Sequence, residues 1–385
     1  MTTTRTTLEL LLDAGQSPWL DNITRTMLRD GAFQALLDRG IVGMTSNPSI
    51  FQKAIGGSGA YDDELRRLVR AGKDAAAIYD DLVLDDIRAA AALLRPTHER
   101  TDGRDGYVSI EVAPALADDT EKTLREARRL FSYLNLPNVM IKIPGTPAGI
   151  PAIRQAIADG INVNVTLLFG VTGYRDVAEA YLAGLEERAA AGWSLGRVAS
   201  VASFFVSRVD AAVDARLDAL LDALGGREAD DGARREFTAL KGTAAIANAT
   251  LAYAAFREIF SGARWEALAA LDARPQRPLW ASTSMKDSGR RDVLYVEELI
   301  GPDTVDTMPD ATIAAFLDHG VVRRTLDADG AGARATLDRL ARAGVDLGEV
   351  TDALQRDGVA QFAAAFDDLN KTIAAKRAGM LTHAG

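Results

Sequence analysis

Short apolar runs rich in β-branched residues recur along the chain and alternate with long stretches rich in Ala, Leu, Arg and Glu. The runs span residues 19–23, 41–45, 107–112, 139–143, 161–169, 198–206, 278–282 and 305–308. Each run is followed by sequence of helical character. Because alternating strands and helices build parallel sheets, eight such units predict an α/β fold, a closed (β/α)8 TIM barrel with extra helices.

The connections between these runs are uneven in length. The stretches of about 50–105 and about 211–277 leave room for several helices each, and the segment of about 320–385 also has helical character. We find neither a tandem repeat nor a linker rich in proline and serine. The pattern therefore predicts a single domain over residues 1–385, enlarged by helical insertions and a C-terminal helical segment. Two stretches rich in glycine and aspartate are typical of surface loops: residues 102–106 and 225–232.

The residue types that are missing narrow the possible chemistry. The 385 residues include no cysteine and only three histidines, His98, His319 and His383. Disulfides, thiolate nucleophiles and Cys-ligated metals are excluded, and a metal cage built from histidines is disfavoured. Any catalysis therefore depends on Lys, Arg, Asp, Glu and hydroxyl groups.

The charge balance and hydropathy limit the partners. With 44 basic and 54 acidic residues the net charge is −10, which argues against binding to nucleic acid or to an anionic membrane surface. No uncharged apolar stretch approaches the ~20 residues that a membrane span requires. The first residues lack the features of a signal peptide. We therefore expect a cytoplasmic protein without nucleic-acid or membrane partners.

Polar residues interrupt three of the apolar runs at alternating positions. Side chains alternate along a strand, so one parity faces the barrel interior and the other faces the helices. The pattern predicts that Lys142 points inward from VMIKI, Ser109 and Glu111 from YVSIEV, and Asn164 and Thr166 from INVNVTLL. A core built for stability alone does not collect such groups, because each buried polar group needs a partner.

Lys142 is the most informative of these residues. Burial in an apolar strand disfavours an ammonium group and favours the neutral amine, the nucleophile that forms a Schiff base with a ketone. The strand ends at Pro144 and Gly145, so Lys142 is expected near the C-terminal rim, where barrel enzymes have their active sites. The alternative interpretation is a salt bridge between Lys142 and Glu111 that only closes the barrel.

Asp21 and Asn47 stand at the ends of two further strands, in WLDNITR and MTSNPSIF. Either residue could contribute to a site at the rim. Capping of the following helix is the stronger expectation for such residues from sequence alone.

The last strands also end in polar residues. Ser203 and Arg208 lie in VASFFVSRVD, and an arginine at the rim suits a phosphate because its guanidinium group offers paired donors. Its alternative partner is Asp210. Ser282 and Lys286 follow the seventh run, in WASTSMK, and loops after strands seven and eight often bind phosphate in barrels.

Seven segments together resemble a known family. In order they are WLDNITR, GMTSNPSIF, SIEV, VMIKIPGT, GINVNVTLLF, SFFVSRVD and WASTSMK. Several are long and distinctive, and they extend over essentially the whole chain. The chain resembles the transaldolases of the longer bacterial type, which implies a barrel of the class I aldolase kind.

The resemblance implies a reaction and catalytic roles. The lysine on the fourth strand of transaldolases, here Lys142, forms a Schiff base with a ketose phosphate. Asp21 would act as general acid and base in cleavage of the C3–C4 bond, and Glu111 with Thr166 would handle the water of carbinolamine formation and dehydration. The implied reaction is the reversible transfer of a dihydroxyacetone unit from sedoheptulose 7-phosphate to glyceraldehyde 3-phosphate. It gives erythrose 4-phosphate and fructose 6-phosphate in the non-oxidative pentose phosphate pathway.

The resemblance also implies the residues that bind the substrate. Asn47, Asn164 and Ser203 would hold the dihydroxyacetone portion. The remaining binding positions are Phe205, Arg208, Ser282 and Lys286, of which Arg208 and the loop after the seventh strand would bind the phosphate. Many transaldolases have an arginine where this chain has Ser284, so phosphate binding is assigned to Arg208 and Lys286. Since the iminium group is the electron sink, the resemblance implies no metal and no cofactor.

Two other functions stay open. A simple aldolase of the same superfamily, active on fructose 6-phosphate, releases or takes up free dihydroxyacetone. Such relatives usually lack an acidic residue matching Glu111, have tyrosine at the position of Phe205 and are much shorter. A non-catalytic barrel that binds sugar phosphates is the second alternative, and the joint presence of Lys142, Asp21 and Glu111 argues against it. We expect sugar phosphates as partners and a monomer or homodimer.

Overall fold

The computed structural model of the chain describes residues 5–224, 231–326 and 330–382. Within these residues, eight parallel strands form a closed barrel in chain order, which confirms the predicted (β/α)8 TIM barrel. The strands are β1 (Gln16–Asp21), β2 (Gly43–Thr45), β3 (Val108–Glu111), β4 (Val139–Pro144), β5 (Val163–Leu168), β6 (Ser200–Phe205), β7 (Arg277–Ala281) and β8 (Thr304–Met308).

Helices lie before, between and after the strands. In chain order they are α1 (Thr7–Ala14), α2 (Arg25–Arg29), α3 (Ala32–Leu37), α4 (Pro48–Gly57), α5 (Asp62–Arg70), α6 (Ala75–Arg100), α7 (Thr120–Leu134), α8 (Gly149–Ala158), α9 (Val171–Ala190), α10 (Ser207–Ala223), α11 (Asp231–Leu240), α12 (Ala244–Ile259), α13 (Gly262–Ala269), α14 (Leu294–Glu298), α15 (Asp310–His319), α16 (Ala331–Arg342) and α17 (Leu347–Thr382). Helices α4 to α6 fill the first long connection and α10 to α13 the second. None of the helices in the described part of the chain is long and apolar enough to cross a membrane.

Strand boundaries differ from the sequence pattern where the backbone pairs beyond the apolar residues. β1 begins at Gln16 rather than at Trp19, because Gln16, Ser17 and Pro18 pair with β8. The run 41–45 contributes only a short strand, although Ile41 and Val42 are also buried. The C-terminal segment is irregular over residues 320–326, and its first helix begins at Ala331.

A buried ion pair closes the N-terminal end of the barrel. Arg277 on β7 donates to Asp105 Oδ1 at 2.9 Å, to Ser17 Oγ at 2.8 Å and to the Arg104 carbonyl oxygen at 2.7 Å. Asp105 also accepts from Ser17 Oγ at 2.8 Å and from Trp19 Nε1 at 3.3 Å. The prediction of a surface loop over residues 102–106 is therefore wrong for Asp105, which is buried because it satisfies Arg277. Of the second predicted loop, residues 225–230 lie outside the described residues, and Asp231 and Gly232 begin α11.

Glycine at position 43 lets β2 pass the bulky indole of Trp19. The two residues are partners in the β1–β2 register, and Trp19 is fully buried. A Cβ atom added at Gly43 would lie 2.5 Å from Nε1 of Trp19, well inside van der Waals contact. This part of the barrel can therefore close only because glycine, which has no side chain, stands opposite the large side chain of Trp19.

Replacement of Gly43 by alanine should destabilise the protein. The new methyl group must displace the fully buried indole, and overpacking of this kind costs about 1–3 kcal/mol. Denaturant unfolding measures the free energy of unfolding. Gly379→Ala on α17 is the control, since no atom of the described residues lies within 4 Å of its added Cβ and alanine in a helix interior stabilises by up to ~1 kcal/mol. Equal stability of Gly43→Ala and the unchanged protein would contradict the packing argument.

Candidate active site

Lys142 lies in β4 and its side chain is almost fully buried. The register places Glu111 of β3 on one side of it and Asn164 of β5 on the other. Its Nζ atom donates to the Ser46 carbonyl oxygen at 3.1 Å and lies 3.5 Å from Oε2 of Glu111. The ring centroid of Phe362 is 6.0 Å from the same Nζ atom. The lysine is therefore held inside the barrel by one hydrogen bond and one carboxylate.

Glu111 is buried, and no described residue donates a hydrogen bond to it. Both of its carboxylate oxygens are inaccessible to solvent, and 3.5 Å to Lys142 is too long for a strong hydrogen bond. Burial raises the pKa of Glu111 to about 7, although the positive charge of Lys142 opposes the shift. Near neutral pH this carboxyl group can thus both accept and release a proton.

Thr166, on the strand at the other side of Lys142, also has a buried oxygen atom without a hydrogen bond from the described residues. It lies on β5, is fully buried, and its Oγ1 atom has no hydrogen-bond partner in the described part of the chain. Buried polar atoms in native proteins are normally paired, so a water molecule or a ligand group is the partner expected for such atoms at a polar site. Glu111 and Thr166, on the strands either side of β4, are the two residues expected to manage a water molecule.

Asp21 ends β1 and is held by its neighbour on β2. Its Oδ1 atom accepts a hydrogen bond from Thr45 Oγ1 at 2.8 Å. Burial raises the pKa of Asp21, and the positive charge of Lys142 and the hydrogen bond from Thr45 offset part of the shift. Helix α2 is capped by Thr24 instead, so the alternative role of Asp21 as a helix cap does not apply.

A hydrogen-bonded chain of small polar side chains crosses the interior beside Lys142. Ser203 Oγ on β6 donates to Asn164 Oδ1 at 2.7 Å, and Asn164 Nδ2 donates to Ser109 Oγ at 3.0 Å. All three side chains are buried. The structure therefore brings together inside the barrel Ser109 and Asn164, which the alternation in β3 and β5 predicts there, and adds Ser203 of β6.

Asn47 follows β2 and caps the next helix. Its Oδ1 atom accepts from the backbone N–H of Ile50 at 3.0 Å, and Pro48 occupies the first position of α4. The capping role that the sequence favoured is confirmed. The amide oxygen of Asn47 is occupied by this cap. The direction of its amide nitrogen is therefore fixed relative to α4.

Arg208 lies in the first turn of α10 and contacts an aromatic side chain and a C-terminal residue. Its guanidinium carbon lies 5.5 Å from the ring centroid of Phe205, and Nη1 donates to Gln361 Oε1 at 3.1 Å. Burial lowers the pKa of Arg208. Asp210 instead accepts from the Ala245 N–H and the Tyr295 hydroxyl group, both at 2.8 Å, so the alternative pairing of Arg208 with Asp210 is wrong.

The loop after β7 supplies the other two positions expected near a phosphate. Ser282 has a left-handed backbone with φ of 59° and hydrogen-bonds through its hydroxyl group to Ser207 Oγ at 2.8 Å, beside Arg208. Lys286 is exposed and donates to Ser284 Oγ at 2.8 Å. Ser282 is thus tied to the start of α10, whereas Lys286 and Arg208 make no hydrogen bond with each other.

Comparison with known proteins identifies the family. A family model described as Transaldolase/Fructose-6-phosphate aldolase matches residues 18–373. The chain belongs to this family. It is 50% identical over 358 residues to the Transaldolase of Acidothermus cellulolyticus, covering 92% of this chain and 93% of the relative. Identity is 48% over 369 residues with the Transaldolase of Thermobifida fusca (95% and 97% covered) and 47% over 372 residues with that of Mycolicibacterium paratuberculosis (96% and 96% covered). The resemblance in sequence is confirmed, and the chain is an enzyme of the transferase class.

Four residues of this transaldolase-family site were not anticipated from the sequence. Thr45 binds Asp21, the Ser46 carbonyl oxygen binds Lys142, and Gln361 and Phe362 of α17 contact Arg208 and Lys142. Thr45 and Ser46 stand in the quoted motif GMTSNPSIF. The hydroxyl group of Thr45 at a strand end was a usable signal, whereas the contact of Ser46 is made by its backbone carbonyl oxygen. Gln361 and Phe362 read as ordinary residues of an amphipathic helix. Among the described residues, no three Asp, Glu or His side chains form a group that could hold a metal ion.

Glu111→Gln should change how stability depends on pH. Because the pKa of Glu111 is raised to about 7 in the folded chain from ~4.3 in an unfolded one, its stabilising contribution is complete below the unfolded value. That contribution is lost as the pH rises through about 7. The glutamine variant should therefore gain about 2 kcal/mol in free energy of unfolding, relative to the unchanged protein, between pH 5 and pH 8.

Denaturant titrations across this pH range measure the difference. Glu121→Gln, at an exposed position on α7, is the matched control and should follow the unchanged protein at every pH. If the Glu111→Gln and unchanged proteins gave parallel curves, the raised pKa of Glu111 would be refuted.

Proposed function

We propose that this enzyme transfers a dihydroxyacetone unit from sedoheptulose 7-phosphate to glyceraldehyde 3-phosphate, giving erythrose 4-phosphate and fructose 6-phosphate. The reaction is reversible, proceeds through a Schiff base on Lys142 and belongs to the non-oxidative pentose phosphate pathway. The observation that supports this best is the buried amine of Lys142, set between strands with unsatisfied carboxylate and hydroxyl oxygens. The names of the relatives, each a Transaldolase, support the same reaction.

Formation of the Schiff base requires a neutral amine and a proton carrier. Lys142 Nζ attacks the ketone carbon of the donor after losing a proton, and Glu111 at 3.5 Å is the acceptor within reach. The carbinolamine then loses its hydroxyl group as water, for which Glu111 in its protonated form supplies the proton. Thr166 Oγ1, which forms no hydrogen bond with another described residue, can hold that water molecule. The Asn164–Ser203 pair is suited to the hydroxyl groups of the three-carbon unit.

Cleavage of the donor requires a base at the hydroxyl group on C4. Asp21 suits this role because burial raises its pKa and makes the carboxylate a stronger base, while the hydrogen bond from Thr45 fixes one oxygen. Removal of the C4 hydroxyl proton breaks the C3–C4 bond, and the iminium group accepts the electron pair. The bound three-carbon unit then adds to the aldehyde of the acceptor, and Asp21 returns the proton to the new hydroxyl group.

Arg208 is suited to bind the phosphate group of the donor or the acceptor sugar. Its described partner, Gln361, is a neutral amide, so a doubly charged phosphate competes for the guanidinium group with a much stronger, charge-assisted hydrogen bond. Ser282, bound to Ser207 at the start of α10, stands beside it. Lys286 is a further cation on the same loop, where it donates to Ser284, and it is the second residue that we assign to the phosphate.

Three further expectations stay predictions. They are a single domain over residues 1–385, a cytoplasmic location and a monomeric or homodimeric state. The sugar-phosphate partners follow from the family, and neither a metal nor a cofactor has a role in the proposed steps.

Replacement of Lys142 by methionine should abolish transfer, because the nucleophile is lost while the apolar side chain still fills the barrel. We expect sodium borohydride with fructose 6-phosphate to fix a three-carbon unit on Lys142 of the unchanged enzyme and none on the variant. Peptide mass spectrometry locates the adduct, and a coupled assay with erythrose 4-phosphate measures transfer. Lys122→Met, at an exposed lysine of α7, is the control and should behave like the unchanged enzyme. If a folded Lys142→Met protein still transferred the dihydroxyacetone unit, the Schiff-base mechanism would be refuted.

Arg208→Met should raise KM for fructose 6-phosphate by about tenfold or more, the effect of losing a charge-assisted hydrogen bond. Activity with unphosphorylated fructose should change little, so the preference for the phosphorylated sugar shrinks. Initial-rate kinetics with both sugars measure this. Arg125→Met on the exposed face of α7 is the matched control. An unchanged KM would remove Arg208 from the phosphate site.

A further inference from the structure

The first half of α17 lies directly on the carboxyl ends of β4 and β5. Gln355 Nε2 donates to the Gly145 carbonyl oxygen at 3.0 Å and to the Leu167 carbonyl oxygen at 3.2 Å. One turn on, Gly358 approaches Leu167 so closely that an added Cβ would lie 2.9 Å from its Cδ2 atom. The helix is thus held by side-chain and backbone contacts at the rim of the barrel.

Two adjacent residues of α17 contact the candidate site, one at Arg208 and the other at Lys142. Gln361 binds Arg208, and the ring of Phe362 lies over the Lys142 amine at 6.0 Å. Phe362 is only 5% exposed, although it belongs to a helix on the outside of the barrel. Its aromatic face therefore covers the atom to which a substrate would be attached.

An aromatic ring at this place has two physical effects. The face of the ring attracts a cation, and both the ammonium form of Lys142 and an iminium group formed on it are cationic. The ring also occupies apolar volume where water would otherwise contact the amine. Both effects act on the same bound species, the three-carbon unit attached to Lys142.

That bound unit has two chemical fates after the C3–C4 bond breaks. In transfer, the carbanion at C3 adds to an aldehyde acceptor. In release, the carbanion takes up a proton, water adds to the resulting iminium group, and dihydroxyacetone and the free amine of Lys142 are formed. Release converts one ketose phosphate into one aldose phosphate and one dihydroxyacetone. The water consumed equals the water lost when the Schiff base formed.

We propose that Phe362 keeps water away from the three-carbon unit on Lys142 and so determines how often that unit is transferred rather than released. The inference rests on the proposed Schiff-base function and assigns a specificity-determining role to a residue of the C-terminal helix. Gln355 and Gln361 hold α17 in place on either side of Gly358, and Phe362 supplies the apolar cover.

The ratio of dihydroxyacetone release to transfer tests the proposal. With fructose 6-phosphate and erythrose 4-phosphate, an NADH-linked reduction measures free dihydroxyacetone and chromatography measures the seven-carbon product. Phe362→Ala should raise the ratio about tenfold, the scale expected for losing a desolvated cation–π contact. Phe362→Leu keeps apolar volume without the aromatic face and should give a smaller rise.

A second variant and a trapping experiment make every outcome decisive. Ile373→Ala also removes a fully buried side chain from α17, further along the helix, and should leave the ratio unchanged. If Phe362→Ala does not fold, Phe362→Leu decides by the same ratio. An unchanged ratio in the folded variant, with the borohydride adduct on Lys142 intact, overturns only the role of Phe362. Absence of the adduct in the unchanged enzyme overturns the proposed function instead.

Discussion

The alternation of side chains in a closed barrel is the constraint on which the whole site depends. Glu111, Lys142 and Asn164 are register partners on β3, β4 and β5, so they form a row across three strands and point to the same side. A slip of one residue in any strand would turn its member of the row toward the helices. Barrel closure fixes this register, and the position of Lys142 relative to its neighbours follows from backbone pairing before any side-chain contact is made.

Two buried ion pairs in the barrel differ in how completely their carboxylate oxygens are hydrogen-bonded. Arg277 and Asp105 meet at 2.9 Å, and additional hydrogen bonds from Ser17 and Trp19 satisfy both carboxylate oxygens. Lys142 and Glu111 are equally buried but stand 3.5 Å apart, and neither glutamate oxygen accepts a hydrogen bond from the residues that the structure describes. A buried charge pair contributes to stability only when its remaining hydrogen-bonding capacity is met. The carboxylate oxygens of Glu111, next to Lys142, lack this compensation from the described residues.

Much of this architecture was predictable because it depends on local sequence. Each of the eight strands overlaps an apolar run, and Ser109, Glu111, Asn164 and Thr166 follow from parity alone. Features that depend on distant contacts were not predictable. The pairing of Arg208 with Gln361 rather than Asp210 joins residues 153 apart in the chain. Asp105 has the sequence context of a surface loop, and only its contact with the distant Arg277 explains its burial. Phe362 gave no signal, because an apolar residue on an amphipathic helix reads the same whether it covers a core or an amine.

The position of α17 in the chain has a consequence for how the enzyme is made. All strands of the barrel precede α17 in the sequence, so residues 355–362 are synthesised after the last of them. A chain that stops short of residue 355 therefore contains every strand of the barrel and Lys142, but not the helix residues that contact the barrel rim and the amine. In such a chain the Lys142 amine has no ring of Phe362 over it.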